Sequence, residues 1–218
     1  VVDPQTPGCV DRIVNMGDFW DESGLRGKKD EVIRLNSDIK GKYACAYHYL
    51  RAADALYENI LELSEACTTQ STINDIADSI LQKETTLFSV NGSGSVRKLF
   101  LSAIGPQGVT SYSDTFKYEK TYLLKAETST AGNALLQRIT EGLLTKHYDV
   151  ECFFDPLCPA SRIEHLCVPE LNLAILSNNY YNMALAPNPT VIDLDSMMKD
   201  EIYNVDFCYN KIMVDNLI

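Results

Sequence analysis

A strand–loop–helix joint near the middle of this 218-residue chain is the first place where residue types and spacing suggest chemistry. The apolar run 121–125 predicts a strand, and the apolar periodicity of 131–146 predicts the helix that follows it. Backbone N–H groups and the N-terminus of a helix attract phosphate at such a joint. The candidate phosphate loop consists of Ala126, Glu127, Thr128, Ser129, Thr130, Ala131, Gly132 and Asn133.

This loop lacks the groups with which a working phosphate loop binds a triphosphate. The motif G-x-x-x-x-G-K-[ST] supplies glycines that let the backbone curl, a lysine that neutralises phosphate and a hydroxyl that binds Mg²⁺. In the register that starts at Ala126, the lysine position is Gly132 and the hydroxyl position is Asn133. In the register that starts at Glu127, these positions are Asn133 and Ala134, so both registers fail. Glu127 also adds negative charge where the phosphate would lie.

A second group of candidates follows the next strand. Asp155 comes directly after the predicted strand 148–154, and Arg162, Glu164 and His165 follow on a predicted short helix or turn at 161–167. Ligands of α/β proteins bind near the carboxyl ends of the strands, so these residues are possible edges of a site. The simpler interpretation is a structural cap with a salt bridge, and the sequence favours it.

No metal site is predicted. Asp193 and Asp195 alternate at the end of a predicted strand, and carboxylates there could hold Mg²⁺. A role in a turn or cap is favoured, because no lysine or hydroxyl stands opposite. The histidines are not spaced as zinc ligands, and no C-x-x-C pair occurs. The odd number of scattered cysteines predicts reduced, mostly buried thiols, at positions 9, 45, 67, 152, 158, 167 and 208.

Composition excludes several classes of partner. Lys and Arg number 19 against 30 Asp and Glu, and the formal net charge is −11. No overall field therefore attracts a phosphate backbone, and nucleic acid is not expected as a partner. No apolar run approaches the roughly 20 residues that span a bilayer, and no signal sequence is visible, so we expect no membrane partner and a cytoplasmic location. The chain starts without Met and ends without a polar tail, which predicts a fragment.

The elements around the candidate residues fall into three blocks. Apolar residues recur at three- and four-residue steps from Val32 to Leu63 and again from Ile73 to Leu81, which predicts two helices in an antiparallel hairpin. The short second helix covers only part of the first, so about half of its apolar stripe must meet something else. After a Gly- and Ser-rich linker, strands alternate with helices, which predicts a mostly parallel α/β sheet covered on both faces. The predicted strands are 98–104, 121–125, 148–154, 171–177 and 191–194.

A weak internal repeat links the start of the chain to its end. Segment 13–20 matches 191–198: an apolar strand follows a proline-rich loop and leads through acidic turn residues to an apolar pair. The repeat predicts that the first residues are the tail of another α/β domain.

Together these features resemble a bacterial tandem P-loop ATPase-like family, mostly from Firmicutes and poorly characterised. Its members carry two P-loop NTPase domains joined by a helical hairpin. The resemblance covers nearly the whole chain and is carried by 2–4, 7–8, 11–21, 97–108, 125–139, 155–156, 162–166 and 168–175. It implies that 1–27 is the tail of a preceding α/β domain, 28–88 the hairpin, 89–95 the linker and 96–218 a truncated P-loop NTPase-like domain.

The departure from the family's motif decides the expected function. The family's loop resembles G-G-P-G-T-G-K-S-T, and the match of 133–139 to the helix that follows favours the register starting at Ala126. Only Thr130 of the functional loop is then retained. The resemblance therefore implies a degenerate P-loop NTPase-like domain that is not catalytic by itself, needs no cofactor and has a scaffold or interaction role. Its partner would be the remainder of its own protein or a second copy.

Two alternatives stay open. In the first alternative, the chain is part of a true ATP-binding ATPase or kinase-like enzyme, and a working P-loop in a missing N-terminal half binds ATP and Mg²⁺. In the second alternative, the degenerate loop binds another anion, or it binds a nucleotide although the P-loop lysine is absent.

Overall fold

The computed structural model describes residues 15–19, 21–65, 70–85, 93–126, 130–179, 182–197 and 205–218. By its contacts the chain divides into two compact units, Val1–Tyr47 and His48–Ile218, and the division falls inside a long helix. The predicted linker lies mostly outside the described residues.

In the first unit, the described chain is helical. A 3₁₀ helix, Met16–Phe19, is followed by α1, Glu22–Arg26, and by the start of α2, Lys29–Glu65. Asp21 caps α1, since its Oδ1 accepts the backbone N–H of Ser23 at 3.0 Å. Asp30 and Glu31 in the first turn of α2 stabilise the positive end of its dipole. The long helix predicted from apolar periodicity is confirmed.

In the described part of the second unit, three further α-helices and eight strands are present, together with three short 3₁₀ helices. The helices are α3, Gln70–Glu84, α4, Ala131–Thr145, and α5, Val205–Leu217. The strands are β1, Val96–Leu99, β2, Ser102–Gly105, β3, Gly108–Ser111, β4, Lys120–Lys125, β5, Val150–Phe154, β6, Ile163–Val168, β7, Leu173–Asn178, and β8, Thr190–Asp193.

Six strands form one sheet in the order β1-β5-β6-β7-β4-β8. The pairs β1–β5, β4–β7 and β4–β8 are parallel, whereas β6 runs antiparallel to both of its neighbours. The sheet is therefore mostly parallel, which confirms an α/β fold. Strands β2 and β3 form a separate antiparallel pair.

The helices α2 and α3 bury their apolar residues in different clusters. Ile73, Ala77 and Ile80 of α3 join the core between α4 and the sheet. The approach of α3 to α4 is close, because a Cβ at Gly142 would meet a methyl of Leu81 at 2.3 Å. Ile60 of α2 instead packs in a second cluster, together with Ala53, Tyr57, Leu157 and Val214. The part of the apolar stripe of α2 that is buried thus meets residues of the third block, whereas the apolar residues of α3 pack with α4 and not in the α2 cluster.

Two predicted elements differ from the structure. Segment 161–167, predicted as a short helix or turn, forms β6, all of whose residues are buried. Glu164 and Nδ1 of His165 have hydrogen-bond partners inside the protein, which offsets much of the cost of burying these polar side chains in the strand. The predicted strand 98–104 breaks between β1 and β2 and contributes to both sheets.

Helical cover is observed on one face of the large sheet. That face packs against α4, with Leu135, Leu136 and Ile139 fully buried. On the other face, Phe153, Cys167 and Ala174 are covered within the described residues by Leu101 and by the aromatic rings of Phe116 and Tyr118. Helices were expected on both faces, and in the described part of the chain they cover one face.

Among the described residues, no helix is both long enough and apolar enough to cross a membrane.

Candidate functional site at the carboxyl edge of the sheet

The topology brings the two groups of sequence-predicted candidates to one edge of the sheet. The parallel strands β4, β5 and β7 end there, and the antiparallel β6 begins there. A pocket at this edge, called here the carboxyl-edge site, is lined by Ala126, Thr130, Gly132 and Asn133 of the candidate loop and by Asp155, Arg162 and Glu164. The free volume is about 50 Å³, whereas pockets for drug-sized ligands hold roughly 300–1,000 Å³. Glu127, Thr128 and Ser129 lie outside the described residues.

The start of α4 is tied to the sheet through the two positions where a P-loop would have its lysine and hydroxyl. A Cβ at Gly132 would lie 2.8 Å from the Cβ of Ala126 and 3.2 Å from Oγ of Ser177. Oδ1 of Asn133 accepts the backbone N–H of Ile163 at 3.0 Å. Glycine at 132 is therefore required by close packing of helix on strand, and a lysine there would force α4 away from β4.

The cation of the site is Arg162, and it is neutralised by carboxylates. Its side chain is 11% exposed, with one terminal nitrogen 3.1 Å from Oδ2 of Asp155 and the other 3.4 Å from Oδ1 of Asp54. The guanidinium also lies over the ring of Tyr57, 4.7 Å from the centroid. Burial alone would lower the pKa of Arg162, but the charge of Asp155 and its hydrogen bond raise it overall. The arginine is thus held charged and already engaged.

The second buried charge, Glu164, is surrounded by neutral donors. Its Oε1 accepts Nδ2–H of Asn179 at 2.9 Å and of Asn182 at 2.6 Å, and its Oε2 accepts the hydroxyl of Ser102 at 2.6 Å. Burial, followed by the nearby charge of Asp155, raises the pKa of Glu164 to about 7. The three hydrogen bonds favour the charged form but do not offset the desolvation.

The imidazole of His165 is a packing group. It is fully buried, and Nδ1 accepts the backbone N–H of Ser177 at 3.1 Å, so the proton of the neutral ring is on Nε2. Burial lowers the pKa of His165 to about 3. Its Nε2 lies 3.6 Å from Oε2 of Glu164, which is a contact of a neutral ring with a carboxyl group. His165 does not line the carboxyl-edge site.

Asp193 lies apart from this site. It ends β8, where its Oδ2 is 3.8 Å from Nζ of Lys125 and its Oδ1 accepts the backbone N–H of Ser196 at 2.9 Å. This geometry is that of a turn with a cap, the role that the sequence favoured over magnesium binding.

Sequence reasoning missed several residues that build the site. Asp54 and Tyr57 come from α2, far from Arg162 in sequence, and no local pattern connects them. Asn179 and Asn182 directly follow the apolar run at 171–177, so the rule that sites form after strand ends would have found them.

One group in the described part of the chain has ligand atoms close enough for a metal ion. Atoms of Asp54, Glu58 and Cys158 lie within 4.8 Å of one another. Arg162 already contacts Asp54, so a cationic side chain stands beside the place that a metal would take. The arrangement is an acidic cluster with its own counter-ion.

Protein-family models, curated proteins and solved structures were compared with this chain, and none of them matches. The resemblance to the tandem P-loop ATPase-like family therefore rests on the residues alone.

Proposed function

We propose that this chain is a degenerate P-loop NTPase-like domain with a scaffold or interaction role, without nucleotide chemistry of its own. The proposal is supported by the ion pairs that the protein's own side chains form at the carboxyl-edge site. At the carboxyl-edge site Arg162 is already paired with the carboxylates of Asp54 and Asp155, and the carboxyl group of Glu164 also lines the pocket. Because carboxylates repel phosphate, this site disfavours a triphosphate.

The packing at the start of α4 supports the same conclusion. Gly132 occupies the lysine position and has no space for a side chain, and the amide of Asn133 is bonded to β6. A hydrogen bond to a charged group contributes about 1.5–3 kcal/mol. Loss of the lysine and hydroxyl contacts therefore weakens the binding of Mg-ATP by about a thousandfold, because each 1.4 kcal/mol of binding free energy changes the affinity about tenfold.

Isothermal titration with Mg-ATP tests the proposal. We expect binding no tighter than millimolar and no hydrolysis. Micromolar binding by this chain would overturn the silent-domain proposal.

A charge-removal variant sharpens the test. In Asp54→Asn with Asp155→Asn, Arg162 loses both counter-ions while the shapes of the side chains are kept. If acidic side chains exclude anions, this double variant gains weak binding of sulfate relative to the wild type. The matched control is Asp78→Asn, which removes the exposed partner of Arg138 and leaves sulfate binding unchanged. Equal sulfate binding by all three proteins would show that electrostatics do not close the site.

A further inference from the structure

The first part of α2 carries an exposed apolar stripe in the first unit of the chain. Val32, Leu35, Ile39 and Tyr43, called here the α2 stripe, are 39%, 46%, 50% and 62% exposed. Steps of three and four residues place them on one face of the helix. Tyr43 also stacks on Tyr47, with ring centroids 6.5 Å apart, which extends the apolar surface. A helix face of this width is normally buried against another element.

Charges beside the α2 stripe identify what fits it. Glu31 and Lys42 are both exposed, and they flank the stripe on the same side at opposite ends. They are about three helical turns apart. A second helix with the same residues, running in the opposite direction, would bring its Lys42 beside Glu31 and its Glu31 beside Lys42. The surface is thus complementary in charge to a second copy of itself.

We propose that the α2 stripe is a homodimer interface in which two copies of α2 pair antiparallel. In this register Leu35 of one copy packs beside Ile39 of the other, and Val32 packs beside Tyr43. Each contact occurs twice, as a two-fold axis requires. A parallel pair would leave Glu31 and the partner's Lys42 about 16 Å apart along the axis, because each residue rises about 1.5 Å.

A second copy of the chain would be the partner for the interaction role proposed above, whether or not the chain has lost phosphate chemistry. Sedimentation measures dimerisation, and titration with ATP measures nucleotide binding. A monomeric chain would therefore contradict only the dimer, and micromolar ATP binding would contradict only the proposed loss of phosphate chemistry. The few apolar layers predict a weak, micromolar dimer, since association has to offset the loss of rotational and translational freedom.

Analytical ultracentrifugation over a concentration series of the whole chain is the test. We expect the wild type to shift from monomer to dimer, and Ile39→Glu, at the centre of the stripe, to stay monomeric. The control is Ala44→Glu, which adds the same charge at an exposed position on another face of α2. It should dimerise like the wild type. A wild type that stays monomeric, or an Ile39→Glu variant that still dimerises, would overturn the proposal.

Charge exchange tests the antiparallel geometry. Glu31→Lys alone, or Lys42→Glu alone, places like charges opposite each other at both ends, and we expect about tenfold weaker dimerisation in each. An equimolar mixture of the two variants restores both attractive pairs, so it should dimerise as tightly as the wild type. A mixture no tighter than the separate variants would contradict the antiparallel arrangement. A monomeric wild type whose Tm falls on Ile39→Glu would show that another part of the same chain covers the stripe.

Discussion

Two buried charges at the carboxyl-edge site are stabilised in opposite ways. Arg162 faces two carboxylates and an aromatic ring, so its charge is matched by opposite charge. Glu164 accepts hydrogen bonds from two amides and a hydroxyl and has no cationic partner among these contacts, while the nearby charge of Asp155 is of the same sign. The pKa of Arg162 is raised, which favours its charged form. The pKa of Glu164 is also raised, which favours its neutral form. Dipoles satisfy the hydrogen-bonding capacity of a buried carboxylate without cancelling the cost of removing it from water.

Removal of the arginine should have the largest effect. In Arg162→Ala, Asp155, whose side chain is 1% exposed, loses its counter-ion inside the protein. Breaking a buried ion pair on one side costs about 3–5 kcal/mol, and we expect that loss in the free energy of unfolding at neutral pH. Urea denaturation measures it. The control, Arg138→Ala, breaks a solvent-exposed pair with Asp78 and should cost less than about 1 kcal/mol. Equal losses in the two variants would contradict the contrast between buried and exposed pairs.

The pH dependence of stability tests the other half of the contrast. The folded protein raises the pKa of Glu164 from 4.5 to about 7, so the folded state binds the proton more tightly than the unfolded state does. This proton contributes roughly 3 kcal/mol to the free energy of unfolding. The contribution is fully present below about pH 4.5 and is lost as pH rises through about 7. Glu164→Gln removes the titrating group, so we expect this fall between pH 5 and pH 8 to disappear. Thermal unfolding across that range measures it, and an unchanged slope would show that Glu164 is not its source.

A smaller effect is expected when one dipole is taken from Glu164. Asn182→Ala removes the donor 2.6 Å from Oε1. Because that hydrogen bond favours the charged form, we expect a loss of about 1–2 kcal/mol that is larger at pH 8 than at pH 5. A double-mutant cycle with Glu164→Gln measures the coupling. Additive losses at pH 8 would mean that Asn182 stabilises the fold by another route.

The sequence named several residues that line the carboxyl-edge site, but not the contacts that they make. The sequence pattern predicted β4, α4, β5 and β7, and the rule of strand ends made the residues after Asp155 possible edges of a site, but only the structure joined them to the candidate loop. Glu164 and His165 were assigned to a helix or turn, because two polar residues in sequence do not look like a buried strand. Their partners, among them Ser102 and Asn182, lie outside any local window. The predicted domain boundaries and the family resemblance stay predictions.

Local patterns by themselves determined the long helix α2, the alternation of strands and helices, and the absence of a lysine from the candidate loop. Each of these depends on periodicity or on the type of residue at one position, which neighbours in sequence establish. The tertiary structure alone decided that Gly132 has no room for a side chain, that Arg162 is neutralised by Asp155 and Asp54, and that Glu164 is charged only at a cost. These properties depend on desolvation and on charges brought within a few ångströms across the fold, and both are set by distance in space and not by distance along the chain.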